Sequence, residues 1–334
     1  MTDEMERALG YLALAMGLAA STLLFAPWLG EVSGKFDRLA ALFPATIPLI
    51  LLTFLLGYRA QLLASTLFLA VALCCVAGIM GPEFFKRAVQ SAPGEPQLTI
   101  VTHNLKVFNF DPGLTSSELI NSGADILLLQ EWGRKMEPMR PLLKTRFPYS
   151  ARCGMGELQI LSRLPIAHSR CAETAVGPAG QILLQSEIPL VGGPTVKVLT
   201  LHPTWKLPRF WRAEARKALV RWMHQQDSKF LVVAGDFNLT PWNEGMRDLD
   251  KGLAPLQRVT HALFSFPARA RGFPWPMALL PIDHVFVGPG LKTLSVERLP
   301  RTGSDHYPIR VKLRWTDGIG RARLLPAKQA QQRS

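Results

Sequence analysis

Val232-Val233-Ala234-Gly235-Asp236-Phe237-Asn238 reads as a buried strand that runs out into polar residues. The apolar run is short, unbroken and rich in β-branched residues, as a strand covered on both faces should be. An acid and an amide at its exit are costly to bury unless they have partners or a task. Alone the stretch decides little, because Asp and Asn are also ordinary turn formers. Similar runs, however, adjoin His103-Asn104-Leu105, Leu129-Gln130-Glu131-Trp132, Leu201-His202-Pro203, Ile282-Asp283-His284 and Gly303-Ser304-Asp305-His306-Tyr307-Pro308.

Working outward, short β-rich runs at 98–101, 126–129, 159–161, 196–201, 230–234, 284–287 and 309–313 predict strands. A helix is expected over 115–121, capped by Thr115 or Ser116 with Glu118 in its first turn. A second is expected over 208–224, with Trp211, Ala215, Leu219 and Trp222 on its apolar face and Arg209, Arg212, Arg216, Lys217 and Arg221 on the other. Alternating strands and helices predict packed α/β layers.

This ordered set resembles the endonuclease/exonuclease/phosphatase superfamily, whose members include pancreatic-type deoxyribonuclease, abasic-site endonucleases, inositol-polyphosphate 5-phosphatases and bacterial sphingomyelinases. The resemblance covers 97–315 and implies a four-layered α/β sandwich of the deoxyribonuclease type. It also implies metal-dependent phosphoester hydrolysis. That chemistry needs a cation on the phosphoryl oxygens, an oriented water and stabilisation of the departing oxygen. Magnesium or manganese suits an oxygen-rich site that keeps water positions open.

Glu131 follows an apolar strand and is the foremost candidate metal ligand; a surface glutamate after a strand is the plainer reading. By resemblance, Asn104 helps to hold the metal or its waters, and Asp305 lies near it. Asp236 and Asn238 are two residues apart, so on an extended strand end they point to one side. The resemblance gives Asp236 the attacking water and Asn238 the scissile phosphate. His202 matches the first family histidine, able as a cation to stabilise phosphoryl charge. Asp283 is the implied carboxylate partner of His306, and His306 the general base or phosphate contact. His103 and His284 are supporting residues. Leu201-His202-Pro203 departs from the abasic-site endonucleases, which carry Tyr and Asn there, and weakens a DNA-repair reading. In the insert before Ile282, Arg269 or Arg271 could meet a phosphate and Trp275 could stack; an ordinary aromatic loop is the alternative.

The chain has 334 residues, room for about two domains. Residues 1–96 hold six Lys/Arg against seven Asp/Glu, and the remainder 32 against 18, so the whole basic excess lies beyond residue 96. That excess suggests an anionic partner, either a phosphoester substrate, nucleic acid or a lipid head group; a solvated basic surface competes. Three uncharged apolar segments, 11–29, 39–57 and 60–80, are each long enough to span a hydrocarbon core of roughly 30 Å. They predict a three-helix membrane anchor over 1–80. A linker is expected over 81–96 and a disordered basic tail over 316–334. Counting Lys and Arg alone opposes an inside N-terminus. Membrane-tethered relatives imply an exported domain, on the periplasmic side of a bacterial inner membrane. Cys153 and Cys171 could pair in such an oxidising compartment. Cys74 and Cys75 read as packing residues, and no zinc spacing appears. The combined expectation is a membrane-anchored phosphoesterase; the competing class is a non-catalytic receptor or scaffold that kept the fold.

Overall fold

The computed structural model describes residues 3–29, 34–59, 63–85, 97–175, 177, 180–204 and 206–315. The N-terminal part holds α1 (Asp3–Leu29), α2 (Gly34–Ala40), α3 (Thr46–Arg59) and α4 (Leu63–Phe85). Then follow β1 (Leu98–Asn104), α5 (Pro112–Asn121), β2 (Ile126–Gln130), α6 (Arg140–Arg146), β3 (Tyr149–Cys153), β4 (Leu158–Ser162), β5 (His168–Glu173), β6 (Ile182–Pro189) and β7 (Thr195–Leu201). The chain continues through α7 (Arg209–Met223), β8 (Leu231–Asp236), α8 (Glu244–Gly252), β9 (Gln257–Arg258), β10 (Arg269–Ala270), β11 (Phe273–Pro274), β12 (Asp283–Val287), β13 (Leu291–Arg298) and β14 (Ile309–Trp315).

Two six-stranded sheets form the catalytic-type domain, in the orders β13-β14-β1-β2-β4-β3 and β5-β6-β7-β8-β12-β9. β1 pairs parallel with β2, and β7 parallel with β8. Strand alternation explains the layers. On the inward faces Leu98, Ile100, Ile126 and Leu128 meet Val196, Val198, Val232, Ala234 and Val285 in one apolar core. The intervening residues face outward: Val101, Leu127 and Leu129 pack with Leu119 of α5 and Leu143 of α6, and Leu199, Leu231 and Val233 with Leu219 of α7 and Leu249 of α8. The domain is therefore the four-layered α/β sandwich expected.

The helices begin where their local chemistry dictates, with two changes from the sequence reading. α5 starts at Pro112, because the Asp111 side chain accepts from Leu114 N at 2.9 Å and Pro occupies the first turn, where no N–H is needed. Thr115 is an interior residue instead. The buried face of α7 is Ala215, Ala218, Leu219 and Met223, turned away from the expected Trp211, which is 36% exposed.

Of the three expected membrane spans, the second is met by a shorter apolar helix, over Phe43–Arg59. A 3-10 turn at Phe43–Ala45, carrying Pro44, separates α2 from the 14-residue α3. At 1.5 Å per residue α3 is about 21 Å long, short of a hydrocarbon core of roughly 30 Å. Two helices are long and apolar enough to cross a membrane, over Glu4–Leu29 and Leu67–Phe85. α4 also runs through Pro82 to Phe85, into the stretch expected as linker. Residues 60–62, 86–96 and 316–334, which carry the start of the third expected span, the rest of the linker and the basic tail, lie outside the described residues.

Cys153 at the end of β3 and Cys171 in β5 form a disulfide with a Cα–Cα distance of 5.6 Å. It joins edge strands of the two different sheets.

Candidate active site

The inward rows change character at one end of the sandwich. Above the apolar core sits a polar layer, where the Gln130 amide donates to Thr200 Oγ1 at 2.7 Å and Thr102 Oγ1 at 3.2 Å, bridging the sheets. Two residues further along the same rows come Asn104 after Thr102, His202 after Thr200 and Asp236 after Ala234. Asp283 opens the inward row of β12 that continues to Val285. The strand register places Asp283 opposite Asp236. Gly235, just before Asp236, cannot be replaced without strain: a Cβ there would lie 2.0 Å from the Leu201 carbonyl oxygen of β7.

The loops complete the cleft. Asn104 Nδ2 donates to Glu131 Oε1 at 2.9 Å and to Asp236 Oδ2 at 3.0 Å, so two carboxylates converge on one amide. Glu131 also accepts from Val107 N at 3.0 Å. His202 Nε2 lies 3.5 Å from Glu131 Oε1 and 3.7 Å from Asp236 Oδ2, while its Nδ1 lies 2.9 Å from Glu157 Oε1. His306 Nδ1 is 2.8 Å from Asp283 Oδ2, and its Nε2 is 3.7 Å from Asp236 Oδ2. The Ser265 hydroxyl donates to the same Asp283 oxygen. Asn238 N donates to Asp236 Oδ1 at 2.8 Å and Asn238 Nδ2 to the Pro203 carbonyl at 3.1 Å. Asp305 pairs with Lys106. Lys106, Glu131 and Asn238 hold φ of 60°, 53° and 53°, a left-handed conformation that non-glycine residues adopt at a cost. Three such residues on one cleft wall mark stored strain where a site is built.

The charges are set by these neighbours. Burial alone would lower the His306 pKa, but the Asp283 and Asp236 carboxylates outweigh it and hold the imidazolium up to about 10. Burial raises Asp236, opposed by His306 and reinforced by Asp283. Asp283 is lowered: burial opposes this, and the contact with His306 outweighs burial. His202 is raised against burial, chiefly by its bond to Glu157 and by Asp236 and Glu131. Glu131 is lowered against burial by the Asn104 amide and Val107 N–H. Buried His103 and His284 are pushed down to about 3 and about 4, so both stay neutral at ordinary pH.

The structure thus brings Asn104, Glu131, His202, Asp236, Asn238, Asp283, Asp305 and His306 to one cleft. Arg269, Arg271 and Trp275 are not on its lining. Arg269 spends its guanidinium on the Thr302 and Gly272 carbonyls at 2.6 and 3.0 Å, and Arg271 and Trp275 are exposed. In their place Phe266 sets its ring 5.0 Å from the His306 ring, and Lys106, Lys206 and Arg212 supply cations to the wall. Sequence reasoning points to neither Glu157 nor Lys106; Ser265 and Phe266 open the insert 264–276, where Arg269, Arg271 and Trp275 are the expected contacts. Lys106 stands two residues after Asn104 and was within reach of the motif; Glu157 is 45 residues from His202 and carried no signal.

The family model for the endonuclease/exonuclease/phosphatase family matches residues 101–306, which spans every one of these groups. The chain belongs to this family. Solved structures share the fold at low identity. One is the endonuclease/exonuclease/phosphatase from Bacteroides vulgatus (15% identity, 66% of this chain and 100% of that one, TM-score 0.54). Another is D. rerio TDP2 complexed with single strand DNA product (15%, 66% and 99%, 0.50). A third is the Bacteroides thetaiotaomicron mannosyl-6-phosphatase Bt3783 (18%, 65% and 99%, 0.50). No curated sequence matches the chain. Members of the family are hydrolases that generally use a divalent metal.

The donor set fits such an ion. Asp236, Asp283 and His306 present ligand-type atoms within 4.8 Å of one another. His306 is held as a cation and is a poor ligand in that state. Glu131, steadied by the Asn104 amide, and Asp305 on the same cleft lining offer the carboxylate oxygens that a hard cation prefers.

Proposed function

We propose that this member of the family is a membrane-anchored, divalent-metal-dependent phosphoesterase, with its catalytic domain on the external side of a bacterial inner membrane. One observation carries the catalytic part: two imidazoles, each braced by a carboxylate, face the Glu131/Asp236 pair across one open cleft. The disulfide between Cys153 and Cys171 supports an oxidising compartment. The apolar α1 and α4 support the anchor.

Glu131, Asn104 and Asp305 would hold magnesium or manganese, whose Lewis acidity offsets phosphoryl charge. The chain's own groups divide the remaining work. Asp236, with its pKa raised, is the stronger base and orients the attacking water. His306, kept charged by Asp283, donates from Nε2 to a phosphoryl oxygen. His202, its pKa raised by Glu157, Asp236 and Glu131, does the same from the other side. Asn238 adds a neutral donor at the strand exit.

A scaffold that merely kept the fold has no need for these pairings or for three left-handed residues at the cleft. The deciding experiment is a hydrolysis screen of the full chain with magnesium or manganese against DNA, RNA, phospholipid and phosphomonoester. Metal-dependent turnover that is lost in His306→Ala/Asp236→Asn supports the reading. Unchanged turnover in that variant refutes it.

A further inference from the structure

The N-terminal helices do more than trail from the domain; they are fixed to one side of it and reach the cleft. Arg258, with a side chain only 3% exposed, binds Glu83 near the end of α4 at 2.8 Å and Asp250 of α8 at 2.9 Å. His261 Nδ1 lies 3.2 Å from the same Glu83. Arg247 of α8 donates to the Pro27 carbonyl near the end of α1 and to the Trp242 carbonyl. The Trp242 ring lies 6.1 Å from Phe43, in the elbow before α3, and 6.3 Å from Phe264. All three contacts come from one end of the helical bundle: the last turns of α1 and α4 and the elbow before α3.

At that same end the helices expose large aromatics. Trp28, Phe84 and Phe85 are 51%, 53% and 85% exposed. Tyr11 and Tyr58, toward the opposite end, are 73% and 66% exposed. Two aromatic levels bounding apolar helices are what the two faces of a bilayer favour. Tyr11 and Trp28 are seventeen residues apart on α1, about 26 Å along its axis, near the thickness of a hydrocarbon core. Ala41, in the elbow, lines the catalytic cleft together with Thr240 and Asn243, which flank the clamped Trp242.

We infer that the Arg258–Glu83 and Arg247–Pro27 contacts clamp the catalytic cleft against the head-group level of the bilayer, so that the substrate is a phosphoester carried by a lipid. This rests on the phosphoesterase reading above and adds the substrate class. Lys106, Lys206 and Arg212 on the cleft wall suit an anionic head group. Ala41, from the helical module, borders the cleft, while every catalytic group named above comes from the sandwich, so the clamp sets where the cleft sits rather than what it contains.

The test uses the full chain reconstituted into vesicles of phosphatidylethanolamine with phosphatidylglycerol or phosphatidic acid, with manganese present. Release of head group or phosphate from the vesicles is compared with hydrolysis of soluble bis(p-nitrophenyl) phosphate and of single-stranded DNA. Glu83→Gln/Arg258→Gln removes both charges of the buried pair at once, and Asp250, which also loses Arg258, is 32% exposed and can turn to water. Arg247→Gln loosens the second clamp independently. Both variants should keep turnover of the soluble ester within about twofold and lose about tenfold or more on vesicle lipid. A purely structural role would lower both activities together, and that result overturns the inference. So does a wild-type protein that cleaves the soluble ester or DNA but no vesicle lipid, or clamp variants that cleave lipid as well as wild type. Inactivity of the wild type toward every ester overturns the phosphoesterase reading itself.

Discussion

Replacing Asp283 by Asn tests the charge logic of the cleft with the smallest change of shape. Asp283 Oδ2 lies 2.8 Å from His306 Nδ1, against 3.7 Å for Asp236 Oδ2 from Nε2, so Asp283 is the closer partner. Together they hold His306 at about 10 against an ordinary 6.5. At 1.36 kcal/mol per unit, that is about 5 kcal/mol in favour of the imidazolium. Burial works against the charged form throughout. With the nearer carboxylate neutralised, burial is opposed chiefly by the more distant Asp236, and His306 should titrate near or below its ordinary value. Asn keeps the volume, and its amide can still accept from Ser265. The assay is the pH profile of metal-dependent hydrolysis of bis(p-nitrophenyl) phosphate by the full chain in detergent. Wild type should show no histidine-controlled fall until about pH 9; Asp283→Asn should fall above about pH 7 and lose about 10²-fold at pH 8, the scale of a misplaced acid–base group. His306→Ala should lack that limb altogether. An Asp283→Asn profile with the wild-type alkaline limb would refute the claim that Asp283 keeps His306 charged.

Three further outcomes follow from the same geometry. Glu131→Gln should keep the fold and weaken magnesium or manganese binding in calorimetric titration, because one anionic oxygen of the proposed ligand set becomes neutral; unchanged affinity removes Glu131 from the site. Buried His284, held near 4 between Thr260 Oγ1 and the Leu239 carbonyl, stays neutral in the fold while the unfolded chain takes up a proton at about 6.5. Its contribution is therefore intact above pH 6.5 and lost as pH falls toward 4, by about 3 kcal/mol in total. Urea midpoints for wild type should drop more steeply over that window than for His284→Gln, and parallel pH slopes would refute it. Thiol labelling of unreduced, unfolded protein taken from native membranes should find Cys153 and Cys171 blocked and Cys74 and Cys75 reactive; four reactive thiols would refute the bond and weaken the external placement.

How much was legible in the sequence follows from where each signal lives. The strands carrying Asn104, Glu131, His202, Asp236 and Asp283 are buried on both faces, so they read as plain apolar runs. The edge strands β3, β5 and β13 are exposed or mixed in composition, and interior β6, though mostly buried, carries Gln185, Ser186 and Glu187 in its middle; none of the four reads as an apolar run. α8 was missed for a related reason: only Gly245, Met246 and Leu249 of its nine residues are buried, and its other positions are largely charged. The second membrane segment misled because hydropathy counts residues and ignores hydrogen bonding; Pro44 lacks the N–H a continuous helix needs. Arg269, Arg271 and Trp275 are candidates by residue type alone. Type says nothing of what a guanidinium binds, and Arg269 binds two backbone carbonyls. Asp305–Lys106 and His202–Glu157 are contacts between distant loops, which no local pattern encodes.

The two aspartates opposite each other on β8 and β12 show how the fold divides the labour. Both are almost fully buried, and neighbouring strands place them in register. Burial raises both, yet the outcomes differ. Asp283 receives the imidazole at 2.8 Å and the Ser265 hydroxyl on one oxygen, and these make it a firm anion. Asp236 has the same imidazole only at 3.7 Å and the Asp283 charge beside it, so it is drawn toward protonation. Two like residues pushed in opposite directions are a pair in which one fixes a charge and the other moves a proton. Asp283 does not line the cleft, and its Oδ2 is covered by His306 and Ser265. Asp236 opens on the cleft beside Glu131 and both histidines. On the proposed reading the roles follow from one register position and one rotamer: the sheet sets the aspartates face to face, and the His306 ring selects which of them is left to act as base.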